Sequence, residues 1–226
     1  MIDLQKSLTT DISQNQLSMM SKLVEKAVEL ALKSLFDSNI LLARDVIGAD
    51  KAINSYEIDV DKSIYAMLLD SQIPPDILRV IVSIQKVNPM LERIGDHAVN
   101  IAESAMNIAS LREKTMFFKL PDMADLCKKI LKDALASFFK QDLKLAQDVL
   151  SRDDTIDQLN VSITNEVKTK IVSSIMCAEM GDISLERGME IIRICKNLER
   201  IADLSTNIAE ETMFVTIGRI IKHNCE

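Results

Sequence analysis

The sequence predicts an all-α protein that contains two copies of one helical unit. The chain has 226 residues, 47% of them apolar, but only five glycines and four prolines, so it can bury a core while offering few residues suited to turns. Aromatic residues make up 4% of the chain and tryptophan is absent. Leu, Ile, Ala and Met supply the apolar content, which is typical of seams between helices rather than of sheets.

A motif that occurs twice gives the clearest sign of the duplication. The segment LERIGDHAVNIAE at 91–103 returns 107 residues later as LERIADLSTNIAE, identical at nine of thirteen positions. At an offset of 103, further matches extend through both halves, for example Met20 with Met123 and Asp50 with Asp153. The change in offset predicts a four-residue insertion in the second copy, within a loop at about 180–184.

Each copy is predicted to be a three-helix bundle, which gives six long antiparallel helices in all. The predicted helices lie at about 11–37, 39–71, 75–110, 120–140, 142–179 and 184–216. The predicted domains are 1–113 and 120–226, joined by a linker at 119–122 that is short enough to hold the two bundles against each other.

Local signals place the breaks between helices. Pro74 and Pro75 should end one helix and begin the next, because proline is tolerated in a first helical turn but not in the turn that follows. In the second copy, Gly181 should end the helix and Ser184 should cap the next one. An interior proline, Pro89, predicts a kink just before Glu92.

Gly95 lies inside the repeated motif, within the predicted third helix of the first copy. A small residue at this position permits the close approach of a neighbouring helix, at some cost in helix propensity.

Charge and cysteine content exclude several classes of protein. The net charge of −7 leaves no broad basic surface for a nucleic acid backbone, so no nucleic acid partner is expected. No apolar run approaches the length of about 20 residues that a membrane span needs. The four cysteines are scattered without CxxC spacing and no secretory signal is evident, so reduced thiols and a cytosolic location are expected.

The repeated motif carries an acidic stripe. Its polar residues recur at i, i+4, i+8 and i+11, which places them on one face of a helix. They are Glu92, Asp96, Asn100 and Glu103, matched by Glu199, Asp203, Asn207 and Glu210. Like charges at i, i+4 repel by roughly 0.2–0.5 kcal/mol per pair, which suggests that a metal ion or an arginine offsets the repulsion.

A second acidic stripe is predicted on the second helix of each copy. Its members are Asp50, Asn54, Glu57 and Asp61, matched by Asp153, Asp157, Asn160 and Thr164. If the two stripes of a copy face each other, their carboxylate and amide oxygens form a site for hard or borderline ions such as Mg²⁺, Ca²⁺, Mn²⁺ and iron.

Two alternatives without metal remain open at this point. The acids can be the solvated faces of amphipathic helices, or Arg93 and Arg200 can neutralise them in salt bridges. His97 and His223 have no cysteine at a zinc-like spacing and are expected to have ordinary roles at the surface or at a helix terminus. No catalytic triad, phosphate loop or nucleophile elbow is present in the sequence.

The repeated motif, together with the segments 72–79 and 215–223, resembles the PhoU family of bacterial phosphate-uptake regulators. The resemblance spans essentially the whole chain. It implies two three-helix bundles, a cytoplasmic location, and metal bound at E/D-XXX-D motifs, with iron, manganese, magnesium or zinc as the ion. The matching pairs here are Glu92 with Asp96, Glu199 with Asp203, Asp153 with Asp157 and, imperfectly, Asp50 with Asn54. Since Asn54 removes a carboxylate, the first copy is the weaker match.

The resemblance also implies a function. The family negatively regulates the phosphate-starvation response and phosphate uptake, and its partners are the ATPase subunit of the phosphate ABC transporter and a sensor histidine kinase. A non-enzymatic adaptor that can form a homodimer is therefore expected. The alternative is a metal-dependent hydrolase or a metal-storage protein, because metal held by carboxylates can activate water.

Overall fold

The computed structural model describes residues 2–69, 72–111, 119–176 and 183–218, with side chains described from residue 13 onwards. No strand occurs within these ranges. The helices are α1 (Ile2–Phe36), α2 (Ile40–Leu68), α3 (Pro75–Ser110), α4 (Lys119–Lys140), α5 (Leu143–Leu150), α6 (Asp153–Met176) and α7 (Leu185–Ile217). The predicted all-α fold is confirmed.

The helices form two bundles of equivalent architecture. In the first repeat α1, α2 and α3 pack on one another, and in the second repeat α4 and the consecutive segments α5 and α6 pack on α7. Apolar residues at helical spacing fill each core; on α3 they include Ile84, Leu91, Ile94 and Ile101, all fully buried. The tandem three-helix bundle predicted from the duplication is confirmed.

The first turn of each repeat has the same geometry, which shows the duplication at the level of the backbone. Ser38 and Gln141 occupy equivalent positions with φ values of 51° and 52°. The next residue then caps the following helix: Asn39 Oδ1 accepts the Leu42 N–H at 3.1 Å, and Asp142 caps α5 in the same way. The two turns fix the same reversal of chain direction in both bundles.

Two predicted boundaries are wrong. The first helix begins at Ile2 rather than near residue 11, because no glycine or proline interrupts this stretch. The predicted linker 119–122 is not a linker but the first turn of α4, where Pro121 is tolerated because its missing N–H has no partner within the helix. The repeats are instead connected through 111–118, of which 112–118 lie outside the described residues.

The second helix of the second repeat is divided, whereas a single helix at 142–179 is the sequence prediction. The break falls at Ser151 and Arg152, between α5 and α6. Arg152 is half-buried there, and its guanidinium contacts Asp133 of α4 at 2.6 Å and Asp148 of α5. In the first repeat the equivalent residues are Gly48 and Ala49, which cannot form such a network, and α2 is continuous.

Other local predictions have mixed outcomes. The break before Pro75 and the cap at Ser184 are confirmed, the latter by a hydrogen bond from the Arg187 N–H to Ser184 Oγ at 3.2 Å. Helix α3 continues through Pro89, and the predicted kink stays a prediction. The predicted stop at Gly181, and the predicted insertion except for residues 183 and 184, lie outside the described residues.

The two bundles are joined mainly along α3 and α7, so they lie against each other as predicted. Lys86 of α3 donates to both carboxylate oxygens of Glu211 on α7, at 2.9 and 3.1 Å, and Glu211 is only 5% exposed. The same ammonium group lies 4.7 Å from the centroid of the Phe214 ring. Further along, Asn107 donates to Glu190 at 2.8 Å. Polar contacts thus fix the register of an otherwise apolar seam.

The described helices also bear on membrane insertion and on the state of the thiols. None of the helices in the described part of the chain is long and apolar enough to cross a bilayer. Cys127 and Cys195 are free and buried, and burial raises the pKa of each thiol to about 12. Both are therefore protonated at neutral pH, which makes them poor metal ligands. Cys177 and Cys225 lie outside the described residues.

Gly188→Ala is expected to destabilise the protein, because α6 approaches α7 too closely for a methyl group. A Cβ at Gly188 would lie 2.5 Å from Ile171 Cδ1 and 3.2 Å from Val167 Cγ1. Overpacking outweighs the gain in helix propensity, so the free energy of unfolding should fall by about 1–2 kcal/mol. The control is Gly48→Ala, where nothing lies within 4 Å and the variant should be neutral or more stable. Urea unfolding measures both; equal stability would contradict the close approach.

Lys86→Met is expected to cost about 2–4 kcal/mol in urea unfolding, because it leaves the buried carboxylate of Glu211 unpaired. Adding Glu211→Leu should restore most of this loss, since the unpaired charge is then removed. Lys62→Met breaks an exposed pair with Asp59 and should change stability by less than about 0.5 kcal/mol. If the two lysine variants behave alike, the Lys86 pair does not hold the seam.

Candidate functional site

The acidic stripes of α2 and α3 meet at a point of close helix contact. A Cβ built at Gly95 of α3 would lie 3.1 Å from Ile53 Cδ1 and 3.8 Å from Asp50 Oδ1, both on α2. The predicted close approach at Gly95 is therefore confirmed. In the second repeat, Ala202 and Ile156 stand at the positions equivalent to Gly95 and Ile53 and are both buried. Apolar packing at this point thus brings the carboxylates of two helices together in each repeat.

The first cluster, as we call it, lies between α2 and α3. It consists of Asp50, Asn54, Glu57, Asp61, Glu92 and Asp96. Asn54 donates to Asp50 Oδ2 at 3.0 Å. The fully buried Asn88 of α3 donates to Asp61 Oδ1 at 3.0 Å and to the Glu57 carbonyl at 2.9 Å. The stripe of α2 and the Glu92 and Asp96 part of the α3 stripe therefore lie together in the first repeat.

The second cluster lies at the equivalent place between α6 and α7. It consists of Asp153, Asp157, Asn160, Thr164, Glu199 and Asp203. Asn160 donates to Glu199 Oε2 at 3.1 Å, and Thr164 donates to Asn160 Oδ1 at 3.4 Å. Two cations are also present: Lys196 pairs with Glu199, and Arg200 Nη1 lies 3.7 Å from Asp203 Oδ2.

Some carboxylates in each cluster have raised pKa values. In the first, burial raises the pKa values of Asp50, Glu57 and Glu92, and the charge of Asp96 raises each of them further. In the second, burial raises the pKa of Asp203, with Glu199 adding to the rise and Arg200 opposing it. Burial and neighbouring carboxylates act in the same direction on Asp153. Uncompensated negative charge of this kind is reduced when a cation binds.

The oxygens of the first cluster fit a metal ion. Asp50 Oδ1, Asn54 Oδ1 and Asn88 Oδ1 are buried and accept no hydrogen bond from any described residue. Oxygens buried without a donor are costly, and oxygen ligands of this type are those that Mg²⁺ and Mn²⁺ prefer. No three His, Cys, Asp or Glu side chains of the described chain are placed to hold one ion as they stand. Coordination would therefore combine amide oxygens with rotation of carboxylates such as the exposed Asp96.

The last polar residues of each repeated motif are not members of the two acidic clusters. Arg193 of α7 crosses the seam between repeats, with Nη2 at 3.3 Å from Glu103 Oε2 and 3.4 Å from Asn100 Oδ1. In the second repeat Asn207 is exposed and Glu210 is half-buried. Of the predicted ligands, Asn100 and Glu103 thus engage the guanidinium group of Arg193, which lies before the motif and is neither of the two arginines considered in the sequence analysis.

His97 lies in the middle of α3 and contacts the other repeat, rather than having the expected role at the surface or at a helix terminus. Its Nδ1 lies 2.9 Å from Asn197 Oδ1, and Asn197 in turn donates to the Arg193 carbonyl at 2.8 Å. The ring belongs to the seam between α3 and α7. His223 lies outside the described residues.

The sequence prediction omitted two residues of the clusters. Asn88 lies one turn before Glu92, and an amide among the apolar positions of α3 is the signal that could have found it. Lys196 occupies the position equivalent to Pro89, but its contact with Glu199 depends on a side-chain conformation that no pattern specifies. Asn88 is neutral and donates to Asp61, whereas Lys196 reduces the negative charge that a bound ion would have to balance.

Comparison with known proteins identifies the family of this arrangement. A model of the PhoU domain matches the chain twice, at residues 17–105 and 120–212. The chain belongs to the PhoU family. The two matches correspond to the two helical repeats, and each contains one acidic cluster.

PhoU relatives match over nearly their whole length. The phosphate-specific transport system accessory protein PhoU homolog of Aquifex aeolicus is 32% identical over 211 residues, covering 93% of this chain and 92% of that protein. The crystal structure of PhoU from Pseudomonas aeruginosa has a TM-score of 0.87 at 29% identity, covering 94% of this chain and 99% of that one. The phosphate transport system regulatory protein PhoU from Streptococcus pneumoniae has a TM-score of 0.83 at 25% identity, with coverage of 96% and 100%.

Glu92→Gln is expected to stabilise the metal-free protein at neutral pH, because it removes one charge from the first cluster. Since the pKa of Glu92 is raised in the folded protein, folding is disfavoured once the pH rises through that raised value. The gain should be a few tenths of a kcal/mol to about 1 kcal/mol at pH 7.5, given screening by solvent, and should fade as the pH falls towards 4.5, the ordinary value.

Urea unfolding in EDTA between pH 4.5 and 8 tests this dependence. Glu166→Gln on α6, outside both clusters, is the matched control and should show no such pH-dependent gain. A Glu92→Gln variant that is less stable than the parent at pH 7.5 would show that the cluster carries no repulsion.

Proposed function

We propose that this protein is a non-enzymatic, metal-binding regulator of phosphate homeostasis. In this proposal it negatively regulates the phosphate-starvation response and phosphate uptake by linking the high-affinity phosphate ABC transporter to its sensor histidine kinase. The observation that carries the proposal is the match of 93% of the chain to a phosphate-specific transport system accessory protein, with the family domain present in both repeats. The name of the Streptococcus pneumoniae relative, a phosphate transport system regulatory protein, supports the regulatory part.

The architecture supports an adaptor. Two similar bundles fixed along the seam of α3 and α7 present two related but non-identical surfaces on one rigid body. An adaptor needs two such surfaces, one for the transporter's ATPase subunit and one for the cytoplasmic portion of the kinase. These partners place the protein in the cytoplasm, and self-association as a homodimer would double the number of surfaces available to them.

Metal binding is the second part of the proposal. Asp50, Asn54, Glu92 and Asp96 would hold an ion of the iron, manganese, magnesium or zinc type in the first cluster. When bound, the ion would supply positive charge that offsets the repulsion between carboxylates and leaves coordination positions open to oxygens of a partner or of phosphate. The buried oxygens without hydrogen-bond donors support this assignment. No step of catalysis is required.

Deletion of the gene is expected to derepress the phosphate-starvation response in phosphate-rich medium, because the link from transporter to kinase is then lost. A reporter fused to a starvation-induced promoter measures this, and a plasmid copy of the parent gene should restore repression. The tagged parent protein should also co-purify the transporter's ATPase subunit and the kinase, quantified from phosphate-replete and phosphate-starved cells.

The control for co-purification is the tag alone. Unchanged reporter activity in the deletion strain would contradict a negative regulator. Loss of repression without recovery of either partner, under both phosphate conditions, would contradict the adaptor mechanism and leave only a regulatory role.

A further inference from the structure

The two acidic clusters differ at the position three residues before the glutamate of the repeated motif. The position occupied by Pro89 in the first repeat is occupied by Lys196 in the second. We propose that Lys196 is a built-in cation of the second cluster, so that the first cluster binds a divalent metal ion more tightly. This inference rests on the metal binding proposed above and states which of the two clusters binds the ion more tightly.

The contacts of the second cluster show how its charge is already balanced. The ammonium group of Lys196 pairs with Glu199 Oε2, the same oxygen that accepts a hydrogen bond from Asn160 at 3.1 Å. Arg200 lies near Asp203, with 3.7 Å between Nη1 and Oδ2. No buried oxygen of this cluster, all of whose residues are described, lacks a hydrogen-bond partner. A metal ion that coordinated Glu199 through Oε2 would have to displace Lys196.

The first cluster has no equivalent cation. Pro89 carries no charge, and Arg93 is the counterpart of Arg200, so Lys196 has no equivalent in the first repeat. The six residues of the first cluster include five carboxylates, and those of the second include four, with Asp154 as a neighbouring fifth. Its buried Asp50 Oδ1 and Asn54 Oδ1 accept no hydrogen bond from the described residues. A metal ion entering here gains ligands without displacing any positive charge.

Asn54 replaces a carboxylate in the first cluster, but this does not reverse the proposed order of metal affinity. Its amide group donates to Asp50 Oδ2 at 3.0 Å, which leaves Asp50 Oδ1 and its own Oδ1 free to act as ligands. The missing charge is more than replaced by Glu57 and Asp61, whose counterparts in the second cluster are neutral. The sequence motif alone ranks the sites in the opposite order, because it counts only the two residues of E/D-XXX-D.

Removal of Lys196 should release the second cluster for metal binding. The experiment uses the full-length protein, freed of metal with a chelating resin and titrated with Mn²⁺ by calorimetry at pH 7.5. Asp50→Asn with Glu92→Gln disables the first cluster, so that the titration reports the second one. In that background Lys196→Ala should tighten Mn²⁺ binding at least about tenfold, since one competing charge is lost. Lys128→Ala, which removes an exposed lysine paired with Asp125, is the matched control and should change nothing.

The reciprocal substitution tests the first cluster. Pro89→Lys places an ammonium group three residues before Glu92, as Lys196 stands before Glu199, and should weaken Mn²⁺ binding there at least about tenfold. Pro89→Ala is its control, because it removes the proline without adding charge. For this pair the second cluster is disabled by Asp153→Asn with Glu199→Gln. Circular dichroism confirms that each variant is folded.

The outcomes separate this inference from the proposal beneath it. If the parent binds Mn²⁺ but Lys196→Ala and Pro89→Lys leave the affinities within twofold of their controls, the role of Lys196 is overturned while metal binding stands. If the second cluster of the parent binds Mn²⁺ as tightly as the first, the order of the sites is overturned. If neither cluster binds Mn²⁺ in the parent or in Lys196→Ala, both proposals fail.

Discussion

The packing of α2 against α3, and of α6 against α7, is the constraint on which both acidic clusters depend. Carboxylates on facing helices repel one another by a few tenths of a kcal/mol per pair at the surface. Full burial of an isoleucine such as Ile53 contributes about 1.5–3 kcal/mol, so a few apolar contacts at the seam outweigh the repulsion. The absence of a side chain at Gly95 permits that packing in the first repeat. Hydrophobic burial therefore holds like charges together in a way that the charges themselves oppose.

The seam between α3 and α7 adds a second constraint, because it converts two small bundles into one body. Each of these helices packs on its own bundle and also on the other repeat. The pair of Lys86 with the buried Glu211 is specific in register, since a shift of one residue would leave that carboxylate unpaired. The two acidic clusters are thus held in a fixed relation to each other, which an adaptor with two binding surfaces requires.

Membership of the family and the similarity of the two repeats do not determine the charge balance of each acidic cluster. The turns at Ser38 and Gln141 are the same in both halves, and the two acidic helices of each half pack on each other, although only the second half has a divided second helix. Single substitutions then change the charge balance, as where Lys196 replaces Pro89. A duplicated scaffold can in this way keep one architecture and still give its two sites different affinities, because packing and surface charge are set by different residues.

The helical class, the duplication and the residues of the acidic stripes could be predicted from the amino-acid sequence, because apolar periodicity and repeated motifs are local signals. The partners of each stripe depend on how the helices pack. Arg193 draws Asn100 and Glu103 towards the other repeat, and the network of Arg152 accompanies a helix break that periodicity did not reveal. Such contacts join residues far apart in the chain, and their geometry depends on the packing of whole helices, which no spacing rule within one helix can specify.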